Sequence, residues 1–87
     1  MTPFLARVYI SLKPTVNDPQ GLTVAGALRS LGFDTVEGVR AGKYIEVRFG
    51  AGDAKSANNL VSAMCAQLLA NPVIESYRFE VEEAVKA

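Results

Sequence analysis

Gly42 and Lys43 form the first candidate functional motif, because Gly-Lys is the centre of the phosphate-binding loop. In that loop Ser or Thr follows at once and a helix begins, whereas Tyr44 follows Lys43 here. Residues 44–49, YIEVRF, alternate polar and apolar side chains as a strand does, and residues 35–41, TVEGVRA, are also strand-like. The pattern therefore favours a hairpin with Gly42 at its corner, in the positive-φ region, over a phosphate-binding loop.

Other groups with catalytic potential are few. The sequence has no histidine, the usual base near neutral pH and a common metal ligand. Cys65 is the only thiol and follows Met64 inside a predicted helix, where a packing role is favoured over a nucleophilic one. Glu80, Glu82 and Glu83 form a carboxylate cluster that would need further ligands to hold a metal, so a solvated strand end is favoured. We expect no catalytic, cofactor-binding or metal-ligating residue in this chain.

Composition limits the classes of protein that remain. The chain has 87 residues, 49% of them hydrophobic, and its nine basic and nine acidic side chains cancel. These values predict one domain over residues 1–87, with no nucleic-acid footprint and no anionic-membrane footprint. The absence of a long apolar run, the strand-like N-terminus and the single cysteine favour a cytoplasmic location. A domain this small is only marginally stable alone, which favours self-association.

Two helices are predicted from their end signals. Asp18 can cap the first helix and Pro19 can be its first residue, with the end near Leu31 and a left-handed Gly32 beyond. The second helix begins after a cap at Asp53 or Ser56 and ends at Asn71-Pro72. Helical spacing gives the first helix an apolar face of Val24, Ala25, Leu28 and Leu31, and the second a face of Ala57, Leu60, Val61, Met64 and Leu68.

The strands complete a β-α-β-β-α-β order. Residues 4–12 and 74–83 alternate like the strand at 44–49, and a short charged tail follows the last one. This order predicts an α+β, ferredoxin-like domain: a four-stranded antiparallel sheet with both helices on one face. The helices would cover Val8, Ile10, Ile45, Val47, Tyr77 and Phe79. The open face would carry Arg7, Tyr9, Ser11, Tyr44, Glu46, Arg48, Arg78 and Glu80.

The open face has two interpretations of equal weight: a solvated surface, or a protein contact rich in Tyr and Arg. A third use, base stacking on Tyr9 and Tyr44, lacks the aromatic-rich signature of RNA-recognition domains.

Four sequence blocks resemble one family in order and spacing. They are VYISLK at 8–13, DPQG at 18–21, GKYIE at 42–46 and LLANPVIESYRFEVEE at 68–83. The chain resembles PurS, the small subunit of bacterial and archaeal phosphoribosylformylglycinamidine synthase. The resemblance implies a non-catalytic subunit of a purine-biosynthesis ligase, which makes formylglycinamidine ribonucleotide, glutamate, ADP and phosphate from formylglycinamide ribonucleotide, glutamine and ATP.

The resemblance also implies partners and surfaces. A dimer, or a dimer of dimers, would bridge the glutaminase subunit PurQ and the synthetase subunit PurL, whose complex uses ATP and Mg. The interface candidates are Lys13, Asp18, Gly21, Gly42, Lys43, Tyr44 and Arg78. The alternatives are a small-ligand-binding regulatory ferredoxin-like domain and a free-standing RNA-binding module.

Overall fold

The computed structural model describes residues 1–84, which form an α+β fold with a three-stranded antiparallel sheet. The strands lie in the order β2-β1-β3, so β1 is central and pairs with both others. The predicted charged tail lies outside the described residues from residue 85 onward. In chain order the elements are β1 (Thr2–Leu12), α1 (Pro19–Ser30), β2 (Gly42–Ala51), α2 (Ala54–Met64), a π-helical turn (Cys65–Leu69) and β3 (Glu75–Glu83).

The strand register separates two faces of the sheet. Tyr9 lies opposite Tyr44 on β2 and Arg78 on β3, whereas Val8 lies between Ile45 and Phe79. Successive side chains of a strand point to opposite faces, so Tyr9 and Val8 belong to different faces. The predicted division into an apolar face and an open, mixed-charge face is confirmed by this register.

Helix α2 covers the apolar face. It begins after Asp53, whose Oδ1 accepts a hydrogen bond from Ser56 N at 2.8 Å. Of the two predicted caps, Asp53 and Ser56, Asp53 is therefore the one that caps the helix. Buried Val61 and Cys65 pack against Ala6, Val8 and Ile10 of β1 in one cluster. Cys65 is therefore a packing residue, since its side chain is fully buried.

The π-helical turn that follows α2 changes which side chains face the sheet. Ala70 N donates to Cys65 O, a bond that spans five residues instead of four. The wider helical turn directs Leu69 toward the core cluster, against which it packs, and leaves Leu68 84% exposed. The predicted inclusion of Leu68 in the buried face is therefore wrong, because helical spacing of 3.6 residues does not hold there.

Helix α1 has the predicted ends but a different place in the fold. The Asp18 cap and the first residue Pro19 are confirmed, and Gly32 has φ 101°, the only positive φ among the described residues. However, α2 lies against β2 and β3, whereas α1 makes no comparable contact with any strand within residues 1–84. Only α2 covers the sheet as predicted.

Residues 35–41, predicted as a fourth strand, form no strand. Their backbone is bound to α1 instead: Arg29 donates to the carbonyl oxygens of Val36 and Glu37, each at 3.1 Å. The predictions of a four-stranded sheet and of a hairpin corner at Gly42 are therefore wrong. Gly42 starts β2 opposite Ser11, and its φ is not positive.

Candidate functional site

Asp18 joins the start of α1 to the start of β2. Its Oδ1 accepts from Gly21 N at 2.9 Å and its Oδ2 from Ala41 N at 2.7 Å. These two backbone hydrogen bonds, that of Gly21 first, lower the pKa of the buried carboxyl below its ordinary value of 3.8. One charged side chain thus fixes two segments that are distant in sequence.

Positions 21 and 42, near Asp18, have no space for a side chain, which is why both are glycines. A Cβ at Gly21 would overlap the carbonyl oxygen of Val39, and one at Gly42 would lie 2.5 Å from the carbonyl oxygen of Ile10. The sequence analysis explained the glycine at position 42 by a positive φ. The structure shows close backbone approach instead, the second common reason for a glycine.

Lys13 and Arg40 tie the neighbouring loops to this end of the sheet. Lys13 Nζ donates to Pro72 O at 2.8 Å, and Lys13 N donates to Ile74 O at 2.8 Å. Arg40 donates to the carbonyl oxygens of Lys13 at 2.8 Å and Val16 at 3.1 Å. The loops after β1, before β2 and before β3 are therefore cross-linked by side chains.

Lys43 forms an ion pair across the central strand. Its Nζ lies 3.3 Å from Glu75 Oε2, and the two residues belong to β2 and β3, the outer strands. Glu75 also accepts from Asn71 N at 2.7 Å, and this bond first, then Lys43, lowers the pKa of Glu75. The Lys43 side chain is 56% exposed against 13% for Glu75, so the ammonium group is fixed in place yet accessible. We define the corner cluster as Lys13, Asp18, Gly21, Gly42, Lys43 and Glu75.

A row of aromatic and cationic groups lies on the open face beside the corner cluster, whose Lys43 lies opposite Ile10 on the other face. The rings of Tyr9 and Tyr44 lie 5.2 Å apart, and Arg78 Cζ lies 4.0 Å from the centre of the Tyr9 ring. Tyr44 is exposed and its hydroxyl donates to Glu46 at 2.8 Å; partial desolvation of the phenol first, then this bond, raises the pKa of Tyr44. We define the aromatic row as Tyr9, Tyr44 and Arg78.

A shallow groove of about 530 Å³ runs between the corner cluster and the aromatic row. Gly42, Lys43, Tyr44 and Arg78 line it together with Tyr9. The other predicted residues, Lys13, Asp18 and Gly21, hold the loops behind it. The structure therefore brings all seven predicted interface residues to one end of the sheet.

Three participants were missed by sequence reasoning. Arg40 and Glu75 act through long-range partners that no local pattern indicates. Tyr9 was assigned to the open face but left out of the interface candidates. Its position beside Tyr44 and Arg78 could have been found by aligning the strands in antiparallel register.

The groups considered for chemistry do not assemble into a reactive centre. Burial raises the pKa of the Cys65 thiol, which disfavours the nucleophilic thiolate. Glu82 pairs with Arg7 at 2.6 Å and Glu80 with Arg78 at 3.5 Å, on the exposed face. Within residues 1–84, no three His, Cys, Asp or Glu side chains are grouped as metal ligands would be. In the same range neither helix is long and apolar enough to cross a membrane.

This chain is therefore a small α+β protein with a partly exposed groove at one end of its sheet, lined by charged and aromatic side chains. The family model for PurS, phosphoribosylformylglycinamidine (FGAM) synthase, matches residues 5–83, so the chain belongs to the PurS family. Phosphoribosylformylglycinamidine synthase subunit PurS of Bacillus subtilis is 49% identical over 82 residues, which cover 94% of this chain and 96% of that protein.

Solved structures give the same family. Thermus thermophilus PurS superimposes with a TM-score of 0.84 at 43% identity, over 95% of this chain and 99% of that chain. A chain of the PurLQS structure from Thermotoga maritima superimposes with a TM-score of 0.83 at 33% identity, over 97% and 100% of the two chains. The family resemblance found in the sequence is confirmed.

Proposed function

We propose that this chain is the non-catalytic structural subunit of phosphoribosylformylglycinamidine synthase in purine biosynthesis. As a dimer or a dimer of dimers, it bridges a glutaminase subunit, PurQ, and a synthetase subunit, PurL. The proposal rests on membership of the PurS family and on one observation of the site. Four of the seven predicted residues line one groove, and the other three belong to the hydrogen-bonded loops behind it.

A bridging role follows from the chemistry of the intermediate. The complex makes ammonia from glutamine in one subunit and uses it to form an amidine, with ATP and Mg, in another. Ammonia that escapes into water is diluted and protonated, so a fixed geometry between the two subunits keeps its effective concentration high. This chain contributes by position and binds no cofactor itself; residues 1–87 act as one cytoplasmic domain.

Two kinds of residue divide the work at the site. Lys43, Tyr44 and Arg78 present exposed charge and aromatic surface, and Tyr and Arg are among the residues enriched at energetically important interface positions. Asp18 and Gly42 allow the backbone to present them in one fixed arrangement. The sheet belongs to the ferredoxin-like class with its outermost strand position, beside β2, left open.

The alanine variant of Lys43 tests the docking surface. The Lys43–Glu75 pair is exposed on the lysine side, and such pairs contribute little to folding, so Lys43→Ala should shift the Tm by only a few degrees. Loss of an interface charge should weaken assembly with the two partner subunits about fivefold or more. Sedimentation of the mixture and glutamine-dependent amidine synthesis measure both effects.

Lys55→Ala is the matched control, because Lys55 is exposed on the first turn of α2, outside the corner cluster and the aromatic row. It should assemble and support turnover like the parent. Ammonia-dependent synthesis, which the synthetase subunit should carry out by itself, should be unaffected by either variant, since no atom of this chain enters that step. A Lys43→Ala protein that assembles like Lys55→Ala would remove Lys43 from the docking surface.

A further inference from the structure

The open face of the sheet has a hollow at the end where β2 begins. Ser11 on β1 lies opposite Gly42 on β2 and Ser76 on β3. Residues two apart on a strand share a face, so these three small residues lie on the same face as the aromatic row and next to it. We define the end row as Ser11, Gly42 and Ser76. The groove of about 530 Å³ thus has its floor at the end row and a wall of large side chains at the aromatic row.

The groove offers hydrogen-bond donors and positive charge. Among the described residues that line it, Lys43 and Arg78 are cationic and none is acidic, although the charges of the whole chain cancel. The Lys43 side chain lies on the other face, so Arg78 is the cation of the open face here. Ser11 and Ser76 are exposed, and their hydroxyls can donate to a group placed over the end row. This set of donors suits an anion that accepts several hydrogen bonds.

Arg78 is held in position but retains donors for a ligand. Its Cζ lies 4.0 Å from the centre of the Tyr9 ring, which fixes the guanidinium beside the end row. Its ion-pair contact with Glu80, from Nη1 to Oε1, is 3.5 Å long, and the two side chains are 70% and 59% exposed. A contact of this length is weak and exposed pairs contribute little, so a better-placed acceptor can replace Glu80. A guanidinium has five N–H donors, and this contact uses one of them.

The shape of the groove indicates a carboxylate carried by a protein surface. The planar fork of an arginine matches the two oxygens of a carboxylate, with two parallel hydrogen bonds. Sites for free small molecules enclose most of the ligand. This groove is open instead, because Tyr44 is 51% exposed and the Arg78 side chain 70% exposed. A second protein surface laid on the sheet would close the groove and exclude water from the guanidinium.

We propose that the groove receives an Asp or Glu side chain of a partner subunit, with Arg78 as the residue that determines this specificity. The guanidinium donates to both carboxylate oxygens, and the hydroxyls of Ser11 and Ser76 donate to the same group. Contact with the ring of Tyr9 limits the motion of Arg78 before binding, which lowers the entropy cost of docking. The inference rests on the proposed function and adds the chemistry that the partner must present.

Charge reversal at Arg78 tests the groove, with Arg48→Glu as the matched control. Arg48 is exposed on the same face of β2, opposite Leu5 and outside the groove. Arg78→Glu should weaken assembly with the two partner subunits about tenfold or more at physiological salt, since it places two carboxylates together. Arg48→Glu makes the same change of charge and should weaken assembly less than about twofold. Sedimentation of the mixtures measures assembly, and the Tm of each variant alone shows that it is folded.

A zero-length cross-link identifies the carboxylate and does not depend on that charge reversal. Arg78→Lys keeps the charge and introduces an amine, which a carbodiimide couples to a carboxylate in contact with it. In the assembled complex, mass spectrometry should find this amine joined to an Asp or Glu of the synthetase or glutaminase subunit, whereas Arg48→Lys should give no such link. Mixing isotope-labelled with unlabelled copies distinguishes links between two copies of this chain from links within one.

The inference is overturned if Arg78→Glu assembles like Arg48→Glu, or if the introduced amine joins only this chain or a second copy of it. A saturable response of the Arg78 Nε signal to millimolar sodium glutamate, in the chain alone, would assign the groove to a free carboxylate instead. A parent that does not assemble with PurL and PurQ would remove the proposed function as well. A parent and an Arg78→Glu variant that assemble equally well remove this inference alone, and Lys43→Ala still decides the docking role of Lys43.

Discussion

Asp18→Asn is the substitution that most directly tests how the corner cluster is built. Asp18 uses both carboxylate oxygens, one for Gly21 N and one for Ala41 N. Asparagine has one carbonyl oxygen, and its amide nitrogen would face a backbone donor, so one of the two bonds must be lost. Losing a capping bond of this kind should lower the Tm by about 5–10 °C in a domain of this size.

Asp53→Asn is the matched control. Asp53 caps α2 through one oxygen, which accepts from Ser56 N. Since Asn and Asp are nearly equal as helix caps, this change should move the Tm by a few degrees at most. The contrast separates a carboxylate that joins two segments from one that only begins a helix.

The pH dependence of the Tm provides a second test of the stabilisation by the Asp18 carboxylate. The folded-state pKa of Asp18 lies below its ordinary value of 3.8, so the ionised carboxylate stabilises the fold above that value. This contribution is lost as the pH falls through the folded-state pKa. The difference in Tm between parent and Asp18→Asn should therefore be largest near neutral pH and should shrink below about pH 4. Equal melting of the two proteins at pH 7, or a difference unchanged down to pH 2, would refute the two-bond role.

Two further substitutions test the packing reasons given above. Gly42→Val should lower the Tm by roughly 5–15 °C and weaken partner assembly more than Lys43→Ala does, because its Cβ would lie 2.5 Å from Ile10 O. Gly52→Val, where a Cβ meets open space, is its control in the same melting and assembly assays. Cys65→Ser should lower the Tm by several degrees, because a hydroxyl is buried where a thiol packs, and should leave glutamine-dependent turnover unchanged. Lower turnover at an unchanged Tm would assign chemistry to Cys65 instead.

The parts of the fold that local sequence determines were predictable. The cap at Asp18 and the left-handed Gly32 each depend on a few neighbouring residues. The alternation along β1 fixed which side chains share a face, so the position of Tyr44 on the open face could be derived before any coordinates. The seven interface candidates came from family blocks, and their convergence needed the fold.

The errors arose where contacts formed in the folded chain outweighed a local preference. Residues 35–41 have strand-like composition, yet Arg29 and Asp18 bind their backbone to α1. Leu68 follows helical spacing in the sequence, but the π-helical turn moves it out of the core. The ion pair of Lys43 with Glu75 joins β2 to β3, which lie on either side of β1 and do not pair with each other. No spacing along the chain indicates this pair.

The contrast between Gly42 and Lys43 shows how the exposed groove depends on the core of the sheet. Gly42 lets β2 approach Ile10 of β1 closely, and the next residue, Lys43, then reaches across β1 to Glu75. Because Glu75 is also held by Asn71 N, the ammonium group of Lys43 has a fixed position although its side chain is largely exposed. A fixed charge costs less conformational entropy on binding than a mobile one. The side chains that we propose as partner contacts are therefore those whose positions are set by glycines and carboxylates behind them.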